Sequence, residues 1–304
     1  MLTYQSKDNL IFKLHPFTQM TFIGIIFILS LIFSHPIYLL GLLMSVWVVI
    51  AAAGNLTEWK GYMKFSIIMV LIIVAINTLF NSAGSTIIYS SPEIPLIGPL
   101  EISLEAIAYG LGMSVRLLVI ISIFCLYTYA VNPDKALRLF SKIGGKSVLA
   151  ITLSVRLFPL MMKDFQRISE IQRCRGVKLA TGSWWNRARN TIPLISIMLL
   201  SCMERSLQLA ESMYARGYGS GPRSYYEKDL WRPRDYLVLI LTAIAMVVGI
   251  WSAVMGWSAF IYYPVLEQIN PLELIGAAIT ASALLVPAIL NWGWMKWPIL
   301  RSRI

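Results

Sequence analysis

The sequence predicts an all-α integral membrane protein with about six transmembrane helices and two long cytoplasmic helices between the fourth span and the fifth. Three observations carry this. Of the 304 residues, 57% are hydrophobic and only 13% charged, about half the charged share of a soluble domain, and the mean hydropathy is +0.68. Apolar runs of spanning or near-spanning length fall at about 20–34, 37–54, 65–81, 103–130, 235–257 and 272–291. The 26 lysines and arginines divide by position: two in 1–19, two in 55–64, eighteen in 131–234, three after 295, and Arg116. Six spans with both termini in the cytoplasm put every loop lysine and arginine inside and leave the outer loops with none, as the positive-inside rule requires.

Three regions follow: a membrane domain of four spans over 1–131, a cytoplasmic helical region over 132–234, and a membrane segment of two spans over 235–304. The net charge of +11 does not read as a nucleic-acid surface, because the basic residues track topology. Cys125, Cys174 and Cys202 lie in membrane or cytoplasmic segments without metal-ligand spacing, so they read as free thiols, and neither a metal nor another cofactor is expected. The first apolar run lacks a cleavage pattern and reads as a retained span.

In chain order, His15 precedes the first span and reads as an interfacial residue, since metal sites need several converging donors. His35-Pro36 makes a tight outer turn. Asn55 to Lys64 reads as a short polar return loop, and its Asn55-Leu56-Thr57 sequon as chance. Ser82 to Ser103, with prolines 92, 95 and 99, reads as an extended outer loop with room for a short hairpin. Arg116 lies inside the fourth run, where a charge is costly. A pathway role is open to it, but pairing with a carboxylate such as Glu105, or snorkelling to the cytoplasmic face, is favoured.

Asn132-Pro133-Asp134 starts an amphipathic helix expected to end at Gly144-Gly145. Gly145-Lys146-Ser147 is not a phosphate-binding loop, because the pattern needs glycine where Phe140 stands. From Ser147 a helix of about thirty residues can run, on the order of 45 Å, with Pro159 as a point of interruption. Its first half is apolar, and its second half narrows to Met161, Phe165, Ile168 and Ile171, with Lys163, Asp164, Arg167, Glu170 and Arg173 opposite. A second helix from about Trp184 repeats the design: apolar to Leu200, then Met203, Leu207, Ala210 and Tyr214, with Glu204, Arg205, Gln208 and Glu211 opposite. The first ends Cys174-Arg175-Gly176 and the second Ala215-Arg216-Gly217, 41 residues later. One Arg-Gly ending is an ordinary left-handed cap with a cation at the negative end of the helix dipole. Two alike suggest docking, in which each arginine forks onto a partner groove and the small neighbours allow close approach. On pattern alone the two readings stand equal.

His15-Pro16, Arg116-Leu117-Leu118, Thr128 with Pro133-Asp134, Val155-Arg156-Leu157-Phe158-Pro159, Met203-Glu204-Arg205 and the two Arg-Gly endings, closing on Tyr218-Gly219, follow one another in an order that resembles a known family. It is the transmembrane coupling (T) component of energy-coupling factor (ECF) transporters, which includes the cobalt-type permease subunits. The resemblance implies a non-catalytic subunit of a vitamin or transition-metal importer in a prokaryotic cell membrane, with ATP hydrolysed in partner subunits. It also implies coupling helices whose tips, Cys174, Arg175 and Gly176 on one and Ala215, Arg216 and Gly217 on the other, dock into two cytoplasmic ATPase subunits. A separate small substrate-binding (S) component would sit beside the chain in the bilayer. Cys174 departs from the family's usual alanine but is also small, and no role carries past Gly219. The alternative is a self-sufficient secondary permease or channel, which should show a midplane polar site or paired half-repeats; neither is visible in the sequence. A membrane-embedded enzyme ranks third, lacking a catalytic constellation.

Overall fold

Contacts divide the chain into two compact units, Met1–Ala136 with Leu230–Ile304, and Leu137–Asp229. The structure, a computed structural model, describes residues 9–81, 84–90, 101–177, 183–221, 230–264, 267 and 270–296. Prolines 92, 95 and 99, residues 222–229 and the last two arginines lie outside the described residues.

The first unit is a helical bundle. α1 (Pro16–Ile32) and α2 (Pro36–Ala53) begin alike. A histidine stands at each N-cap, its Nδ1 accepting the N–H of Phe17 or Ile37 at 3.2 Å, and a proline follows at the first helical position. Proline suits that position because its missing N–H would have had no intrahelical partner. α2 ends at Gly54, whose φ of 73° is the left-handed cap.

α3 (Leu56–Phe80) begins at once, so the return loop expected over Asn55–Lys64 is mostly helix. The chain reverses at Gly54 and Asn55 alone, and Glu58 suits the positive end of the new helix. β1 (Ile87–Ser90) and β2 (Glu101–Ser103) pair antiparallel, the short hairpin for which the outer loop had room. α4 (Leu104–Ala130) starts under a Ser103 hydroxyl that accepts the Ala106 N–H at 3.3 Å.

α7 (Pro233–Val254) and α8 (Pro271–Leu284) both open with a capping box closed by an acidic residue, Asp235 or Glu273. α8 is followed by α9 (Val286–Lys296) across a 42° bend, so the last expected span is a broken one. Asn291 of α9 donates to Ala52 and accepts from the backbone of Leu10 at 2.9 Å, tying the break into the bundle.

α1 lies along α7, α2 along α4 and α8, and α3 along α4. The core runs through Phe22, Ile26, Leu29, Phe33, Tyr38, Leu42, Val46, Ile50, Val119 and Ile123. Of α3 only Ser66 is buried, while Phe65, Leu71 and Phe80 are exposed. In water such a face would be a liability; in lipid it is the expected surface. By length and composition α2, α3, α4, α7 and the stretch Thr191–Ala215 can each cross a bilayer, and the bent α8–α9 pair makes a sixth; α1, an expected span, is a shorter apolar helix, and Thr191–Ala215 lies in the region the sequence placed in the cytoplasm. The protein is an all-α, multi-pass integral membrane protein.

The second unit is built on α5 (Pro133–Cys174) and α6 (Trp184–Ala215). The break expected at Gly144-Gly145 is absent, and α5 runs unbroken for 42 residues. Glycine weakens a helix interior by about 1 kcal/mol relative to alanine, but it ends a helix only by turning to positive φ. Among the described residues Gly54, Gly176, Gly217, Gly219 and Gly256 do so, and Gly144 and Gly145 do not.

Candidate functional site

The two Arg-Gly endings fold identically. At the end of α5 the N–H of Val177 donates to Gln172 at 3.1 Å, that of Gly176 to Arg173 at 3.0 Å, and that of Arg175 to Ile171 at 3.1 Å. At the end of α6 the N–H of Tyr218 donates to Met213 at 3.0 Å, that of Gly217 to Tyr214 at 2.9 Å, and that of Arg216 to Ser212 at 3.2 Å. Each pair of glycine and following residue closes a Schellman motif, with the glycine at φ 82° or 75°. The 41-residue repeat therefore preserves hydrogen bonds and not only letters.

Cys174, Arg175 and Gly176 are exposed, as are Ala215, Arg216 and Gly217. A Cβ built on Gly176 would meet nothing, so the glycine is demanded by its backbone angle and leaves open space over the cap. Each arginine stands at the C-cap, where its five donors sit beside a small residue and a bare glycine. Such a surface fits a groove lined with carboxylates or backbone carbonyls. The ends differ in their flanks. Arg173 precedes the first, whereas Tyr214, 85% exposed, holds the matching place before the second. The first tip is thus more basic and the second more aromatic. Each end is built within its own helix, and among the described residues no hydrogen bond or ion pair joins one tip to the other.

Sequence reasoning placed Asp164 and Arg205 on outward polar faces. They meet instead: Arg205 Nη2 donates to Asp164 Oδ2 at 2.7 Å, joining α6 to α5. Leu157 and Met161 on α5, with Met198, Ser201, Cys202 and Ser206 on α6, line the same cleft. With that face turned to α5, Met203 and Leu207, each 64% exposed, form an apolar stripe elsewhere on α6.

Arg116 does not reach Glu105 and does not snorkel toward the far end of α4. Its guanidinium donates to the Phe33 carbonyl at 2.7 Å and the Ser34 hydroxyl at 3.1 Å, at the C-terminal end of α1. Glu105 is taken up locally by the Thr86 backbone at 3.1 Å and the Ser85 and Thr86 hydroxyls. Nearby, His35 is fully buried with its Nε2 3.3 Å from Glu273. His15 stacks on Trp231 at 4.2 Å, and its backbone N–H donates to Asp235 at 2.8 Å, consistent with a capping residue. Among the described residues no three His, Cys, Asp or Glu side chains gather as a metal site.

Residues 9–226 match the family described as cobalt transport protein, a stretch that contains both tips. Among curated proteins the chain is similar to the energy-coupling factor transporter transmembrane protein of Streptococcus thermophilus, 28% identical over 249 residues, covering 78% of this chain and 92% of the relative. Its counterpart from Listeria innocua is 27% identical over 242 residues, 74% of this chain and 85% of the relative. That of Clostridium kluyveri is 26% identical over 265 residues, 82% and 96%.

Proposed function

The chain belongs to the cobalt transport protein family, and from that premise we propose that it is the transmembrane coupling component of an energy-coupling factor transporter. In this reading it sits in a prokaryotic cell membrane with both termini in the cytoplasm and catalyses nothing itself. Two ATPase subunits bind the tips of α5 and α6, and a small substrate-binding membrane subunit holds the vitamin or transition-metal ion. ATP-driven closing of the ATPase pair moves the two helices, and they move the substrate-binding subunit.

The observation that carries the reading is the duplicated, exposed Arg-Gly cap. One such cap is ordinary helix chemistry. Two with the same hydrogen bonds, each ending its own helix with an exposed arginine, are what a pair of similar grooves on two subunits would take. The names of the curated relatives supply the context of an energy-coupling factor transporter.

The test is charge reversal at both tips. Arg175→Glu with Arg216→Glu should abolish co-purification of the ATPases while the chain still inserts in the membrane, and each single change should weaken retention less. Undiminished ATPase binding by the double variant removes the docking role. Uptake by the chain alone in liposomes, without ATP, would favour a self-sufficient permease instead.

A further inference from the structure

The ion pair between α5 and α6 obeys the same interval as the tips. Asp164 and Arg205 are 41 positions apart, as are Arg175 and Arg216. The cleft around the pair follows suit. Leu157 and Met161 on α5 have Met198 and Cys202 as their counterparts at that interval, and all four line it. The two helices thus touch through equivalent faces at equivalent heights. Cys174 lies ten positions after Asp164, and Ala215 ten after Arg205, about 15 Å of helix in each case.

We propose that Asp164 and Arg205 are positioning residues: their ion pair sets the crossing point of α5 and α6 and so holds the two Arg-Gly tips at equal reach. The proposal rests on the reading of the tips as docking sites for what it means in transport, though not for the geometry it predicts. The pair contributes little to folding. Its side chains are 30% and 31% exposed, and pairs of that exposure contribute about 0–1 kcal/mol. Its value is in register. Around it the cleft offers Leu157, Met161 and Met198, flexible apolar side chains that pack nearly as well after a slip along the helix. A charge-assisted hydrogen bond of 2.7 Å tolerates no such slip. Arg205 Nη1 is shielded without a hydrogen-bond partner among the described residues, so a guanidinium deprived of Asp164 would be driven out of the cleft.

The experiment uses the full chain in nanodiscs, with native cysteines replaced by serine and spin labels on cysteines introduced at the exposed, equivalent positions Glu170 and Glu211. Electron paramagnetic resonance then reads the distance distribution between labels. The parent should give one narrow peak. Asp164→Arg or Arg205→Asp should broaden it, and the charge swap carrying both should narrow it again. In the assembled transporter the same single variants should keep the ATPase subunits bound and hydrolysing while uptake per ATP falls about tenfold, with recovery in the swap. Single variants that keep the parent distribution, or a swap that leaves it as broad as the singles do, overturn the proposal. Uptake unaffected in the singles overturns it as well. If labels respond as expected but the parent chain retains no ATPases, the crossing stands and the docking reading falls.

Discussion

At the scale of single residues, the tips depend on two glycines whose backbone angles other residues adopt at a cost. Left-handed φ costs a side-chain-bearing residue about 1–2 kcal/mol, and Gly176 and Gly217 sit at 82° and 75°. Gly176→Val with Gly217→Val should therefore fray the last turns and weaken ATPase retention, measured by co-purification, while bulk helicity by circular dichroism stays unchanged. Gly→Asn at either site should be milder, because asparagine tolerates this region better. Arg116 makes a different point. Its residue type and depth were legible in the sequence, but its partner was not, because the Phe33 carbonyl is a backbone atom more than eighty positions away. Arg116→Leu leaves that carbonyl and the Ser34 hydroxyl without this donor at the end of α1. The expected loss of about 1–3 kcal/mol should appear as a lower melting temperature in detergent, with Arg116→Lys intermediate.

At the scale of elements, the turn between α1 and α2 is held by the loop that follows α7. Ser34 and His35 both donate their N–H to the Ser258 carbonyl at 2.9 Å, and the Tyr262 hydroxyl donates to Ser34. His35 is enclosed there, and burial pushes its pKa below the usual 6.5, although Glu273 and Glu267 pull the other way. A histidine that folds neutral binds fewer protons than its unfolded form, so its contribution to stability is present above pH 6.5 and drains away as pH falls below it. His35→Asn, which preserves the N-cap acceptor, should flatten that loss when melting temperature is followed from pH 7.5 down to about 5.

Elements were legible in the sequence where a long apolar run was sharply bounded, as α2 is by Pro36 at its start and the left-handed Gly54 at its end. They were misjudged where composition stood in for geometry. Asn55–Lys64 looked like a loop because it is polar, and Gly144-Gly145 looked like a stop because it is glycine. The Asp164–Arg205 contact was hidden because both residues sit beside other charges. The shared 41-residue interval was the signal that could have exposed it.

At the scale of the whole molecule, two units carry two kinds of surface. The bundle buries polar side chains at helix starts, His15, His35, Ser103, Asp235 and Glu273 among them, and shows lipid-like faces such as that of α3. The α5–α6 unit shows charged tips and the exposed apolar stripe of Met203 and Leu207. The charge asymmetry was legible in the sequence, where eighteen of the 26 basic residues fall within 131–234. The equal tails beyond the ion pair have a mechanical consequence. With the tips docked as proposed, they would act as levers of matched length about one fulcrum, so a stroke at one tip would meet its counterpart with the same amplitude, and neither helix would have leverage over the other. Such a balance is sensitive to single insertions. One alanine added between Asp164 and Cys174 lengthens one arm by only about 1.5 Å but swings Arg175 through about 100°. It should cost more uptake than four added alanines, which bring the arginine back to nearly the same azimuth on a longer arm.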